Sequence, residues 1–281
     1  MLRTRPHVRV LGPADLDDVL RLLARDPVTH VFLEHRARLT RLETRWLGGE
    51  VWGYDEGDGL EAICHSAANL APAFASERAL EAFASRALAH GRKCGSIIGR
   101  QDEVAVLWRM LEPSWGPARS IRPHQPFMVL DSPPAVEPSP DVRRVRPDEL
   151  DVLYPACVAM YTEELEVSPE AGGGGSMYRA RVNQLIAKGH AFAHIEDGRV
   201  LFKAELGSIT PHACQLQSVW VSPELRGQGF GTAGVATICT IAMAEIAPVV
   251  SLYVNQHNRA AQRAYENVGF TTTAEFQTIL F

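Results

Sequence analysis

The chain has 281 residues, of which 46% are hydrophobic and 22% charged, and its formal net charge is −5. That length predicts two domains of ordinary size, and the composition excludes a disordered or collagen-like chain. The acidic balance argues against nucleic acid as a partner, and no uninterrupted apolar run reaches the ~20 residues of a membrane-spanning helix.

The first residues are basic but carry no apolar stretch of the kind a secretory signal needs, so a cytoplasmic protein is expected. Residues 8–17, Val-Arg-Val-Leu-Gly-Pro-Ala-Asp-Leu-Asp, predict a short strand, a proline stop and an acidic helix start. A hairpin follows, from strands at 50–55 and 60–64 with a turn at 56–59. The stretch 71–77, Ala-Pro-Ala-Phe-Ala-Ser-Glu, contains no glycine, and residues 95–98 form a strand ahead of a helix at 102–111 that holds Trp108. Between Leu130 and Pro140 stand four prolines with little periodic hydrophobicity, which predicts a semi-rigid linker at 132–140.

The same order then starts again. Residues 142–151 repeat the strand, proline and acidic helix start, and 191–195 with 200–205 repeat the hairpin across Asp197-Gly198. The predicted domains are 1–131 and 141–281, each with the order strand, helices, hairpin, helix, strand, helix, strand. Two unrelated α/β domains with common elements are the competing organisation. The five cysteines (Cys64, Cys94, Cys157, Cys214, Cys239) are scattered and never spaced as CxxC, which suits buried free thiols and gives no zinc site.

Residues 216–221 alternate as a strand, and Ser222-Pro223-Glu224-Leu225 turns the chain into Arg226-Gly227-Gln228-Gly229-Phe230-Gly231-Thr232 before an alanine-rich helix from Ala233. Closely spaced glycines at a helix start let backbone amides and the helix dipole meet an anion. No Gly-Lys-Ser/Thr closes the loop, so it is not a Walker loop, and residues 250–255 lack the acid a dinucleotide fingerprint needs. A purely structural glycine turn stays open on the loop alone.

After a strand at 251–254 come Asn258, Ala261, Tyr265 and Gly269-Phe270. With Arg226, Gly229 and Gly231, these residues resemble the motifs of the GCN5-related N-acetyltransferase (GNAT) family, Arg/Gln-x-x-Gly-x-Gly/Ala and Asn-x-x-Ala-x-x-x-Tyr. The match is specific over 216–270, and element order extends it to 142. The resemblance implies an α/β (α+β) fold of tandem GNAT-like domains, each a mixed, mostly antiparallel twisted sheet flanked by helices, with the N-terminal copy degenerate.

It further implies acetyl-CoA as cosubstrate, no metal, and a primary amine of a protein or small molecule as acceptor; an oligomer is compatible with it. Val219, Trp220 and Val221 are the implied contacts to the pantetheine arm, the amides of Arg226 to Thr232 (Gly227, Gln228, Gly229, Phe230 and Gly231 between them) the diphosphate cradle, and Asn258 a further cofactor contact. Tyr265 is implied as the acid at the departing sulfur, with a packed residue that only shapes the pocket as the alternative. Many relatives carry a glutamate where Gln215 and Gln217 stand, so the base is open. Glu205 is the candidate, acting through water, against an ordinary exposed residue paired with Lys203; His190 and His194 are expected to be packed or solvated. Glu163, Glu164 and Glu166, beside a mobile link at Gly172 to Gly175, are either an acceptor-attracting cluster or an acidic helix surface. A non-catalytic acetyl-CoA sensor is the alternative function.

Overall fold

The computed structural model describes residues 7–56 and 59–281. The N-terminal half runs β1 (His7–Leu11), α1 (Leu16–Leu23), α2 (Val31–Thr40), α3 (Thr44–Leu47), β2 (Glu50–Asp55), β3 (Leu60–Ser66), β4 (Asn69–Ala73), α4 (Glu77–His90), β5 (Ser96–Arg100), α5 (Gln101–Trp115) and β6 (Ser120–Leu130). The C-terminal half runs β7 (Arg143–Arg144), α6 (Leu150–Leu165), α7 (Gly175–Ala187), β8 (Ala191–Glu196), β9 (Arg199–Ile209), β10 (Cys214–Val221), α8 (Phe230–Glu245), β11 (Val250–Tyr253), α9 (Arg259–Val268) and β12 (Thr271–Leu280). Apart from the extra short helix α3, the two orders are the same.

Two compact units result, and their limits differ from the bounds expected at 131 and 141. The first takes the chain up to Phe127 together with Tyr253–Gln256 and Thr272–Phe281; the second takes Met128–Leu252 and His257–Thr271. The difference has a hydrogen-bonding cause. β12 lies antiparallel to β5, with Phe276 opposite Arg100 and Leu280 opposite Ser96, so the last strand of the chain completes the first unit. The segment expected as a semi-rigid linker is fastened down within the second unit. Ala135 donates its amide to the Val268 carbonyl, and Ser139 donates to Ala233.

In the first unit the strand order is β1-β2-β3-β4-β5-β12-β6, with β4 and β5 parallel. Side chains alternate across this sheet as the two-residue strand period demands. Trp52, Ala62 and Cys64 join a core with α4 and α5, whereas Val51 and Ile63 join a separate core with α1 and α2. Helices therefore cover both faces. In the second unit the order is β11-β10-β9-β8-β7, and β10 with β11 is the parallel pair. Leu153 and Cys157 of α6 and Val182 and Ile186 of α7 pack on Ala191 and Ala193 of β8. On the opposite face α8 reaches β9 through Gly234, where a Cβ would stand 2.6 Å from the Phe202 ring. Among the described residues no helix is long and apolar enough to cross a membrane.

Candidate acyl-transfer site

The site grows out of an irregularity in β10. Its partner strand β9 follows it regularly to Gln217 opposite Glu205, then resumes at Trp220 opposite Lys203, with a bulge between. Ser218 absorbs the extra residue in a left-handed conformation, φ 57°, which is uncommon for a non-glycine residue. On its other edge β10 meets β11 only at Cys214 with Val250 and Gln215 with Ser251. Beyond Gln215 the two parallel strands part, and the Val254 amide donates instead to Pro126. Burial falls accordingly, from buried at Cys214 to Leu216 to half-buried at Gln217 to Val221. Main-chain groups of Val219 and Val221 thus border a gap between strands.

The gap leads to the glycine loop. Gly227 (φ 77°) and Gly229 (φ 87°) occupy the left-handed region, and at either one a Cβ would meet no atom within 4 Å. Gly229 stands at the cap position just before α8, and no side chain caps the helix there. The first helical bond runs from Ala233 to Gly229, so the amides of Phe230, Gly231 and Thr232 precede the ladder and point outward. Gly231 adjoins Val221, whose Cγ2 would be 3.4 Å from its Cβ. The loop is a shallow, exposed set of donors at a positive helix end, which fits a diphosphate.

The side chains expected there take specific posts. The Arg226 guanidinium turns back, donating Nε to the Val221 carbonyl at 3.1 Å and NH2 to Glu163 at 2.7 Å. Trp220 donates Nε1 to the other oxygen of Glu163 at 3.2 Å. Glu163 therefore ties α6 to the end of β10, a role the acidic run did not announce. Phe230 stacks on His194 at 6.0 Å, and Gln228 donates to the Glu224 carbonyl. Asn258 caps α9, its Oδ1 accepting the Ala261 amide at 3.1 Å; the Asn-x-x-Ala spacing is the geometry of that cap. Gly172 and Gly173, at φ 64° and 86°, fold the segment expected to be a mobile link into a tight turn, and the Tyr154 hydroxyl donates to the Gly175 carbonyl there.

Tyr265 is buried on α9, its ring 6.0 Å from Phe270. Burial, with smaller contributions from Glu164 and Cys239, pushes its pKa well above the usual phenol value, so it stays protonated throughout the neutral range. Glu205 is not the exposed residue weighed from sequence. It is 6% exposed, and its Oε1 lies 2.6 Å from the Nζ of Lys203, itself 1% exposed. Burial alone would lower the Lys203 pKa; the Glu205 carboxylate beside it reverses that, leaving the pKa raised. Cys157 completes the cluster, with Sγ 3.5 Å from Nζ, and burial pushes its thiol pKa up. Gln215 is buried opposite Ser208 and Ser251, and Gln217 lies over Gly207.

Residues 158–270 match the Acetyltransferase (GNAT) family. This part of the chain is a GNAT acetyltransferase domain. Residues 49–153 match a domain of unknown function, DUF4081. No curated protein matches the sequence. Solved structures share the fold over nearly the whole length at low identity. A GNAT-family acetyltransferase from Colwellia psychrerythraea is 13% identical, with 98% of this chain and 99% of that one covered and a TM-score of 0.60. A GCN5-related N-acetyltransferase from Sphaerobacter thermophilus is 18% identical over 99% and 96%, also at 0.60. A tandem GNAT protein from the clavulanic acid biosynthesis pathway is 15% identical over 98% of both chains at 0.55. The GNAT domain thus has the mixed, mostly antiparallel sheet flanked by helices that its motifs implied.

Where the GNAT domain leaves its loop open, the N-terminal half closes the corresponding one. Phe74 (φ 57°) follows β4, between the Arg25 guanidinium at 4.8 Å and the His30 ring at 4.5 Å. Ser76 caps α4 through the Ala79 amide. The Ala75 amide donates to Glu103 Oε1 at 2.6 Å. The amide at this loop is thus met by a side-chain oxygen from α5 of the same unit. Trp108, on α5 where α9 holds Tyr265, packs on Phe281 instead.

Proposed function

We propose that the protein moves an acetyl group from acetyl-CoA to a primary amine, on a protein lysine or N-terminus or on a small molecule, by direct attack within a ternary complex. The observation that carries this reading is the parting of β10 from β11 beside an uncapped, open glycine loop. The main chain of Val219 to Val221 would hold the pantetheine arm. The amides from Gly227 to Thr232 would hold the diphosphate, with Arg226 bracing the loop from behind. An amide at the bulge, near Val219, would stabilise the oxyanion that forms as the amine attacks the thioester.

Tyr265 acts in this reading as a hydrogen-bond donor to the departing sulfur. A thiolate has a parent pKa of about 8.5 and a free phenol about 10, so full proton transfer runs uphill, and the raised Tyr265 pKa makes it more so. Glu205 is unsuited to take a proton directly, because its carboxylate is committed to Lys203. A chain of waters from the amine to solvent serves as base, with the Lys203–Glu205 pair holding the shape of β9 beside it.

Thiol release from acetyl-CoA, followed with a polyamine and with a lysine peptide, tests the reading. Amine-dependent release is expected, with kcat lowered at least about tenfold in Tyr265→Phe and KM for acetyl-CoA little changed. A second reading, a non-catalytic acetyl-CoA sensor, is favoured by the glutamines at 215 and 217 and by the ion-paired state of Glu205. Tight binding of acetyl-CoA with no thiol release for any amine would select it.

A further inference from the structure

The N-terminal unit holds a cavity that acetyl transfer leaves unused. Its volume is about 570 Å3, within the ~300–1,000 Å3 usual for small-ligand sites. It lies among the start of β2, the start of β4, and the C-terminal ends of α4 and α5. Trp52, Leu70, Ala87 and Cys94, all buried, give it an apolar base. Gly48 and Gly91, both at φ 68°, line it as well, and a Cβ at either would meet nothing within 4 Å. These backbone turns therefore bring no side chain into the space.

The polar lining holds a cation and a donor left without a partner among the described residues. Its one carboxylate, Glu50, accepts on Oε2 from Trp52 Nε1 at 2.6 Å and from Arg86 at 3.1 Å, which offsets its charge. The Arg86 guanidinium also lies over the Trp52 ring at 5.3 Å. Lys93 is exposed and makes no ion pair among the described residues, and Arg45 pairs only with Glu43 at the surface. His90 donates Nδ1–H to the Arg86 carbonyl at 2.8 Å. Trp115 Nε1 is buried with no acceptor among the described residues. An unmet buried donor costs about 1–3 kcal/mol. The lining thus keeps one unmet buried donor, Trp115 Nε1, and one unpaired cation, Lys93, among the described residues.

We propose that this cavity is a second binding site, for a small anion with a flat apolar body, an aromatic carboxylate. The ring would lie on the Trp52, Leu70 and Ala87 base. The carboxylate would meet Lys93 at the rim and accept from Trp115 Nε1. The site is separate from the glycine loop of the GNAT domain and does not depend on that domain's activity.

Calorimetric titration of the full chain with 1-naphthoate tests the assignment, beside 1-naphthylmethylamine, which keeps the ring and reverses the charge. The expected result is one naphthoate per chain, no saturable binding of the amine, and no displacement by coenzyme A. Lys93→Glu, on an exposed position that leaves the core intact, should weaken naphthoate at least about tenfold, and Trp115→Phe should weaken it while keeping the ring. A lack of saturable naphthoate binding, equal binding of the amine, displacement by coenzyme A, or undiminished affinity in a folded Lys93→Glu variant would each overturn it.

Discussion

Glu103 answers the Ala75 amide at 2.6 Å, yet its second oxygen is buried with no partner among the described residues. Burial outweighs that one amide and pushes its pKa from 4.5 up to about 7. Between these two values the folded chain keeps a proton that the unfolded chain releases, so this residue's contribution to stability falls as pH rises through the window. Glu103→Gln keeps the acceptor and cannot titrate. Urea melts at pH 5 and pH 8 should show the variant gaining on the parent with rising pH, by up to about 3 kcal/mol. A gap that stays constant with pH would contradict the argument. The Lys203–Glu205 pair makes the opposite kind of claim. Lys203→Met alone leaves a buried, unpaired carboxylate and should cost about 3–5 kcal/mol, whereas joint replacement of both by apolar residues of similar volume should be near neutral. Denaturant midpoints of the single and double variants would decide it. Gly234→Ala should lower stability by about 1–3 kcal/mol, because its Cβ would collide with the ring of Phe202, which is fully buried. Of these residues the sequence revealed little. Tyr265, Asn258 and the glycines fall in local motifs, and Lys203 stands two positions from its partner Glu205, but the burial that sets the states of Glu103 and of this pair comes from packing between segments distant in sequence.

At the scale of elements, local periodicity made the hairpins β2–β3 and β8–β9 and the helices α8 and α9 legible, since alternation and helical spacing act over a few residues. The five-residue strand β4 escaped notice because Asn69 to Ala73 shows no alternation and carries Pro72. The bulge at Ser218 was equally silent, because serine has no particular liking for a left-handed conformation and only the pairing of Gln217 and Trp220 with β9 requires it. The partner of β12 is the strongest non-local fact. Ending the chain after Phe270 would strip β5 of one of its two neighbours and remove Ile279 from the core formed with α4 and α5. The effect should appear in the N-terminal unit: amide exchange at Ile97 and Ile98 should lose protection in the shortened chain, although every residue of β1 to β6 is still present. Unchanged protection at β5 would refute the assignment of β12 to that unit.

For the whole molecule, the repeated element order was readable because both halves use strand, proline stop and acidic helix start in the same sequence. The unit limits were not, since Thr272–Phe281 leaves its own half through a sheet pairing that no local signal encodes. The same comparison of halves yields the central claim, that one loop is open for a diphosphate and its counterpart is filled by Ser76 and Glu103 from within. Calorimetric titration of acetyl-CoA into the full chain, beside the Gly229→Asp, Gly231→Asp double variant, tests it most directly. The account predicts one acetyl-CoA per chain, with binding lost in the folded variant. Two sites per chain, or binding that survives in the variant, would contradict it.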